Sequence, residues 1–333
     1  MHAIVDQIQS VDLNAGEETR RYLDTLTKPP GSLGGLEALA IQLSAITGEL
    51  KPSVTPPAVV VFAADHGVAA EGVSAFPQEV TAQMVANFAN GGAAINVFAR
   101  QIGAQVEIVD VGVVSPLTMQ GVTSAKVRHG TANMVVEDAM QVEQALAAID
   151  VGVTAVERAK SAGAKCLIVG EMGIANTTAS SAMLAVLTGE SVASVVGAGT
   201  GINPQQQAHK VAVIERAINA RQANPEAPLE VLAKLGGLEI AAMTGAYLAA
   251  AAHRLPAIVD GFIATVAALT ACRLCPAVRG YLIFGHRSQE PGHDIALKAL
   301  EAKPLLDMGM RLGEGEWCRA GLSITASSHR DDA

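Results

Sequence analysis

The chain has 333 residues, half of them hydrophobic and 17% charged, enough to bury a large core as one big domain or a big one with a small one. Its formal net charge of −9, with no run of Lys or Arg, excludes the concentrated basic face that a nucleic-acid partner needs. Aromatics are only 3% while glycines number 32, which favours close helix-on-sheet packing and glycine-rich approaches to small ligands over stacking on bases.

Residues 1–20 lack the basic and then apolar order of a secretory signal. The first fifty residues read as two helices, 15–27 and 36–48, joined by Lys28-Pro-Pro-Gly-Ser-Leu-Gly34, with no strand, and are therefore expected to form a small helical lobe, residues 1–50. From residue 51 to 310, short β-branched runs at 58–63, 105–109, 166–169, 257–259 and 281–284 alternate with helical patterns. Those helices are expected at 79–101, 140–162, 178–187, 204–221, 238–251 and 262–272, the fourth opened by Asn203 as cap and Pro204 at the first helical position. Such alternation predicts an α/β fold: βαβ units forming a parallel sheet with helices on both faces.

The most apolar stretches, 240–252 and 257–272, fall short of the ~20 residues of a membrane span. Cysteines at 166, 272, 275 and 318 form no disulfide or zinc pattern, so a reduced, soluble, cytoplasmic protein is expected.

Each expected strand is followed by a polar group paired with glycine: Asp65-His66-Gly67, Asp110-Val-Gly112, Gly170-Glu171-Met-Gly173, Asp260-Gly261 and Gly285-His286. Because ligands of open α/β sheets sit beyond the carboxyl ends of the strands, five such ends predict one polar crevice. Two segments suit a phosphate. Gly170-Glu-Met-Gly-Ile-Ala-Asn-Thr-Thr178 runs from strand into helix, where N–H groups and the helix dipole favour an anion, although Asn176 or Thr177 could simply cap the helix. Gly197-Ala-Gly-Thr-Gly201, with Gly199 and Gly201, precedes the Pro204 helix, which carries Lys210 two turns in. The full dinucleotide fingerprint, a P-loop and a G-x-S-x-G elbow are all missing. His66, His286 and His293 are conceivable metal ligands, but hydrogen-bonding roles are the commoner use, and no metal is expected.

Together with Leu235-Gly-Gly-Leu-Glu239, Met243-Thr-Gly245, Val259-Asp-Gly-Phe262 and Arg311-Leu-Gly-Glu-Gly315, these segments resemble one family from about residue 20 to 315. It is the nicotinate-nucleotide–dimethylbenzimidazole phosphoribosyltransferase family of cobalamin nucleotide-loop assembly. The resemblance implies a Rossmann-like sheet, a small lobe made from both chain ends, a homodimer, and no cofactor or metal requirement. It also implies Glu314 as general base and Glu171 beside the reacting ribose, with Gly173 and Lys210 on the 5′-phosphate. Phe76 and Met84 stand where some members line the base pocket with Ser and Gln, so a more apolar pocket is expected here. Rival readings are a nucleotide N-glycosidase with water as nucleophile, and a non-catalytic nucleotide binder.

After Gly315 the resemblance breaks. In place of Ser/Thr-Gly-Ala-Ala and apolar helices, the chain reads Glu316-Trp-Cys-Arg-Ala-Gly321 and a polar tail through 333. One inserted base would account for this: the back-translation GAG-TGG-TGC-CGC-GCT-GGC, without its first G, gives Ser-Gly-Ala-Ala-Leu. On that reading residues 311–333 are an active-site loop with a divergent tail, the small lobe is incomplete, and a weakly stable or inactive product is expected.

Overall fold

The computed structural model describes residues 1–197 and 201–309. Among them, six strands form one parallel sheet: β1 (Pro57–Ala64), β2 (Gln105–Gly112), β3 (Val122–Ser124), β4 (Cys166–Met172), β5 (Ala257–Val259) and β6 (Leu282–Phe284), in the order β3-β2-β1-β4-β5-β6. This is the doubly wound order, in which the chain leaves β1 toward one edge and β4 toward the other. The expected α/β fold is therefore present, and the β1–β4 seam is its switch point.

β1 explains why the sheet sits in the centre. Its sequence Pro-Ala-Val-Val-Val-Phe-Ala-Ala is buried throughout, as a parallel strand covered on both faces must be. The pleat then sorts side chains by parity. Val60, Phe62, Val109, Leu167, Val169, Val259 and Phe284 join one core. Val59, Val61, Ile108, Ile168, Ile258 and Ile283 join the other.

The helices, in chain order, begin with α1 (His2–Val5), α2 (Leu13–Asp24) and α3 (Gly35–Thr47). α2 and α3 pack together through Thr19 Oγ1 and Ser44 Oγ at 2.7 Å, and Leu39 and Leu43 of α3 reach the second core. Between β1 and β2 lie α4 (Glu79–Ala89) and α5 (Ala94–Ile102). The sequence pattern suggested one helix there. Gly91, with φ of 76°, ends the first, and Asn96 opens the second by accepting from the Ala93 N–H while donating to the Phe88 carbonyl.

α6 (Val142–Ser161) returns the chain to β4. α7 (Asn176–Thr188), α8 (Val192–Val195), α9 (Pro204–Arg221), α10 (Pro228–Leu235) and α11 (Leu238–Ala252) then connect β4 to β5. α12 (Gly261–Leu274) follows β5, and α13 (Pro291–Ala299) follows β6. β3, α10 and α13 were not anticipated from the sequence. α11 is almost wholly buried on β1, β2 and β4 and crosses α6 so closely that backbones touch: a Cβ on Gly152 would stand 1.8 Å from the Ala242 carbonyl. No described helix is long and apolar enough to cross a membrane.

Candidate active site

The register sets Phe62 of β1 beside Glu171 of β4, so both strands end at the same level at the switch point. Beyond β1 stand Asp65 and His66, and at the end of β4 stands Glu171; all three are buried. The Asp65 carboxylate accepts the Val114 N–H at 2.7 Å, tying the loop after β2 to β1. Burial pushes its carboxyl above the usual range.

Glu171 is oriented by the turn that follows it. The Asn176 side-chain amide donates to Glu171 Oε2, and the Asn176 N–H donates to the Gly173 carbonyl at 3.1 Å. Between them Ala175 has φ of 75°, a left-handed conformation costing an L-residue roughly 1–2 kcal/mol. Such strain, held by the surrounding structure, is a mark of functional turns. The geometry answers the capping alternative: no side chain caps α7, because the Asn176 amide turns back to Glu171.

The next residue begins a second function. Thr177 Oγ1 accepts from Lys210 Nζ at 2.8 Å. Lys210 reaches in from α9 and is 1% exposed. Burial lowers its ammonium to about 8, opposed by the charge of Glu290, which favours protonation. A buried ammonium beside an uncapped helix N-terminus has the chemistry to seat a small anion such as phosphate, and is called the anion seat below.

Underneath the turn lies a pair the sequence did not reveal. His66 Nε2 and Glu239 Oε1 are 2.5 Å apart, His66 at 1% exposure and Glu239 at 0%. A Cβ on Gly173 would stand 2.5 Å from the Ala64 carbonyl and 3.2 Å from Glu239 Oε1, so only glycine fits between strand and pair. Both motifs holding these residues stood out in the sequence, but nothing there joins positions 173 residues apart.

The ends of β5 and β6 carry a third polar group. His286 Nδ1 lies 3.1 Å from Asp260 Oδ1, and the His286 ring meets that of His293 edge-on at 6.0 Å. His293 Nδ1 accepts the Ser288 N–H at 2.9 Å, which fixes the neutral Nε2–H tautomer; Nε2 then donates to Thr265 Oγ1 at 3.0 Å. Burial, and then the neighbouring His286, push His293 down to about 3. Among the described residues, no three His, Cys, Asp or Glu side chains are grouped to hold a metal.

Of the sequence candidates, Glu171, Gly173, Asn176, Thr177 and Lys210 thus come together. Gly201, with φ of 105°, is exposed before α9. Phe76 is exposed in the loop before α4, while Met84, on α4, packs against the second core. Gly199 and Glu314, with the whole divergent tail, lie outside the described residues.

A family model described as phosphoribosyltransferase matches residues 8–330. The chain is 51% identical to the nicotinate-nucleotide–dimethylbenzimidazole phosphoribosyltransferase of Halalkalibacterium halodurans, over 98% of this chain and 92% of that protein. It is 52% identical to the protein of the same name from Azotobacter vinelandii, over 95% of this chain and 89% of that one. The crystal structure of CobT from Thermus thermophilus superposes with a TM-score of 0.92 at 45% identity, covering 95% of each chain. The fold is thus that of a phosphoribosyltransferase, and the carboxylate and anion seat lie at its switch point. Within that class, the chain belongs to the nicotinate-nucleotide–dimethylbenzimidazole phosphoribosyltransferase family.

Proposed function

We propose that the chain transfers the phosphoribosyl group of nicotinate mononucleotide to 5,6-dimethylbenzimidazole, giving α-ribazole 5′-phosphate and nicotinate, in cobalamin biosynthesis. The observation that carries this reading is the single turn 171–177. Its carboxylate, Glu171, and its anion seat, Thr177 with Lys210, are held by neighbouring residues of one segment. A nucleotide lying along that segment has its phosphate at the seat and its anomeric carbon toward the carboxylate.

The chemistry suits two acids. The bond from the anomeric carbon to the pyridinium nitrogen breaks, its electron pair leaving with nicotinate, through a state with oxocarbenium character. Glu171 stabilises the charge developing on the ribose. A ring nitrogen of the benzimidazole forms the new bond, and the proton on its other nitrogen passes to Glu314 as general base, a contribution of about 10²–10⁴-fold. Gly173 and Gly201 offer close backbone approach to the phosphate, a role the sequence also suggests for Gly199, and Phe76 and Met84 form part of an apolar wall for the base. A cytoplasmic homodimer completes the reading, and sedimentation of the purified chain tests the dimer.

Product analysis after incubation with both substrates tests the activity. α-Ribazole 5′-phosphate supports the transfer. Nicotinate released equally without benzimidazole points to an N-glycosidase, and binding of the nucleotide without nicotinate release points to a non-catalytic binder.

A further inference from the structure

We infer that His66 and Glu239 are positioning residues for this reaction, acting through the Gly173 turn on Glu171 and on the phosphate seat. The inference rests on the transferase reading above and deepens it.

The geometry assigns the pair this place. At 2.5 Å, Nε2 and Oε1 are joined by a hydrogen bond, since two lone pairs cannot face each other at that distance. The pair therefore behaves as one rigid bridge from the end of β1 to the first turn of α11. Two glycines clasp it. Gly173 lies between the bridge and the Ala64 carbonyl, and a Cβ on Gly237 would meet His66 Cε1 at 2.4 Å and Glu239 Oε2 at 2.6 Å. The bridge thus forms the floor on which residue 173 rests. From that floor the contacts continue through the Gly173 carbonyl to the Asn176 N–H, through the Asn176 amide to Glu171, and from adjacent Thr177 to Lys210. From outside, Thr81 Oγ1 accepts the Ile174 N–H at 3.1 Å, so the turn is pinned from two sides.

Stability alone is a poor reason for the bridge. Among the described residues, His66 Nδ1 and Glu239 Oε2 are buried without a hydrogen-bond partner. Buried charged pairs with unsatisfied atoms are commonly no more stable than apolar side chains of the same volume. What the pair supplies is a fixed position, and an error of about 1 Å at a reacting centre costs about 10²-fold in rate.

The test is steady-state kinetics of Glu239→Ala, Glu239→Gln and His66→Ala, in wild-type and Glu171→Gln backgrounds, with melting temperatures recorded alongside. For both alanine variants, kcat/KM for nicotinate mononucleotide should fall about tenfold or more, while KM for dimethylbenzimidazole moves less than about twofold. Glu239→Gln keeps the hydrogen bond and the volume and should recover most of the loss. In the Glu171→Gln background the alanine losses should shrink to the part that acts on the phosphate seat, because the other target is already gone. Losses of equal size in both backgrounds, or folded alanine variants with wild-type kinetics, overturn the inference. Should the alanine variants be insoluble, Gly237→Ala, which presses a methyl onto His66, must reproduce the same split or the inference falls. A wild-type chain without transfer would instead remove the reading beneath it.

Discussion

On the proposed function, Lys210 is the side chain on which substrate charge and protein burial act together. Its ammonium, lowered to about 8 by burial, is cationic at neutral pH and loses its proton as pH rises through that value. The free enzyme should therefore bind nicotinate mononucleotide well below pH 8, with KM climbing above it. Lys210→Met should raise KM by about 10–100-fold at pH 7, the equivalent of about 1.5–3 kcal/mol for a charge-assisted contact, and should flatten that rise. A KM profile unchanged by the substitution would remove Lys210 from the seat. His293 makes a prediction of opposite sense. Its folded value is depressed to about 3 against an ordinary 6.5, so the stability of its neutral form is present above pH 6.5 and lost as pH falls toward 3. Chemical denaturation at pH 7 and pH 5 should show a His293→Gln variant losing about 2 kcal/mol less than wild type over that interval. Glu171, Asn176 and Thr177 were legible as candidates because they lay in one strand-to-helix segment, and Lys210 because it followed a glycine-rich stretch and the Asn203-Pro204 helix start. The His66–Glu239 bridge was not, since a contact between distant segments leaves no local trace.

Among elements, the α6–α11 crossing carries the tightest geometric demand. A Cβ on Gly245 would stand 2.0 Å from the Ile149 carbonyl, the mirror of Gly152 against Ala242. Both approaches are to backbone, which cannot rotate aside. Gly152→Ala and Gly245→Ala should each cost about 1–3 kcal/mol or more, lowering the melting temperature by several degrees. Melting curves matching wild type would mean the helices separate more easily than this crossing allows. Five of the six strands were readable in the sequence as apolar runs, because a strand buried on both faces can carry little else. β3, as short as β5 and β6, was hidden because its Val122-Thr-Ser124 is half-buried or exposed at the sheet edge and carries no apolar run. α10 and α13 each open on a proline, Pro228 and Pro291, but with no side-chain cap before it and only eight and nine residues in all the pattern was too short to read as a helix. The merged 79–101 helix failed at Asn90-Gly91-Gly92, where the apolar period continues although the backbone turns left-handed.

For the whole molecule, the strand order places the catalytic candidates. Winding reverses at β1 and β4, and Glu171, Thr177 and Lys210 gather beyond the carboxyl ends of those strands, with the polar ends of β2, β5 and β6 along the same side. The polar strand ends marked that side of the sheet in the sequence, and the family resemblance suggested its chemistry. Neither could give the floor beneath the turn, because the floor is assembled only when α11 folds onto the sheet. Glu314, the proposed base, stands immediately before Gly315, after which the motifs led one to expect a break, although the family model matches through residue 330. The most direct measurement is therefore the formation of α-ribazole 5′-phosphate from nicotinate mononucleotide and 5,6-dimethylbenzimidazole by the wild-type chain and by Glu314→Gln. Product from the wild type with a loss of about 10²-fold or more in the variant is the predicted result. No product from a folded wild type, or equal product from both, would contradict it.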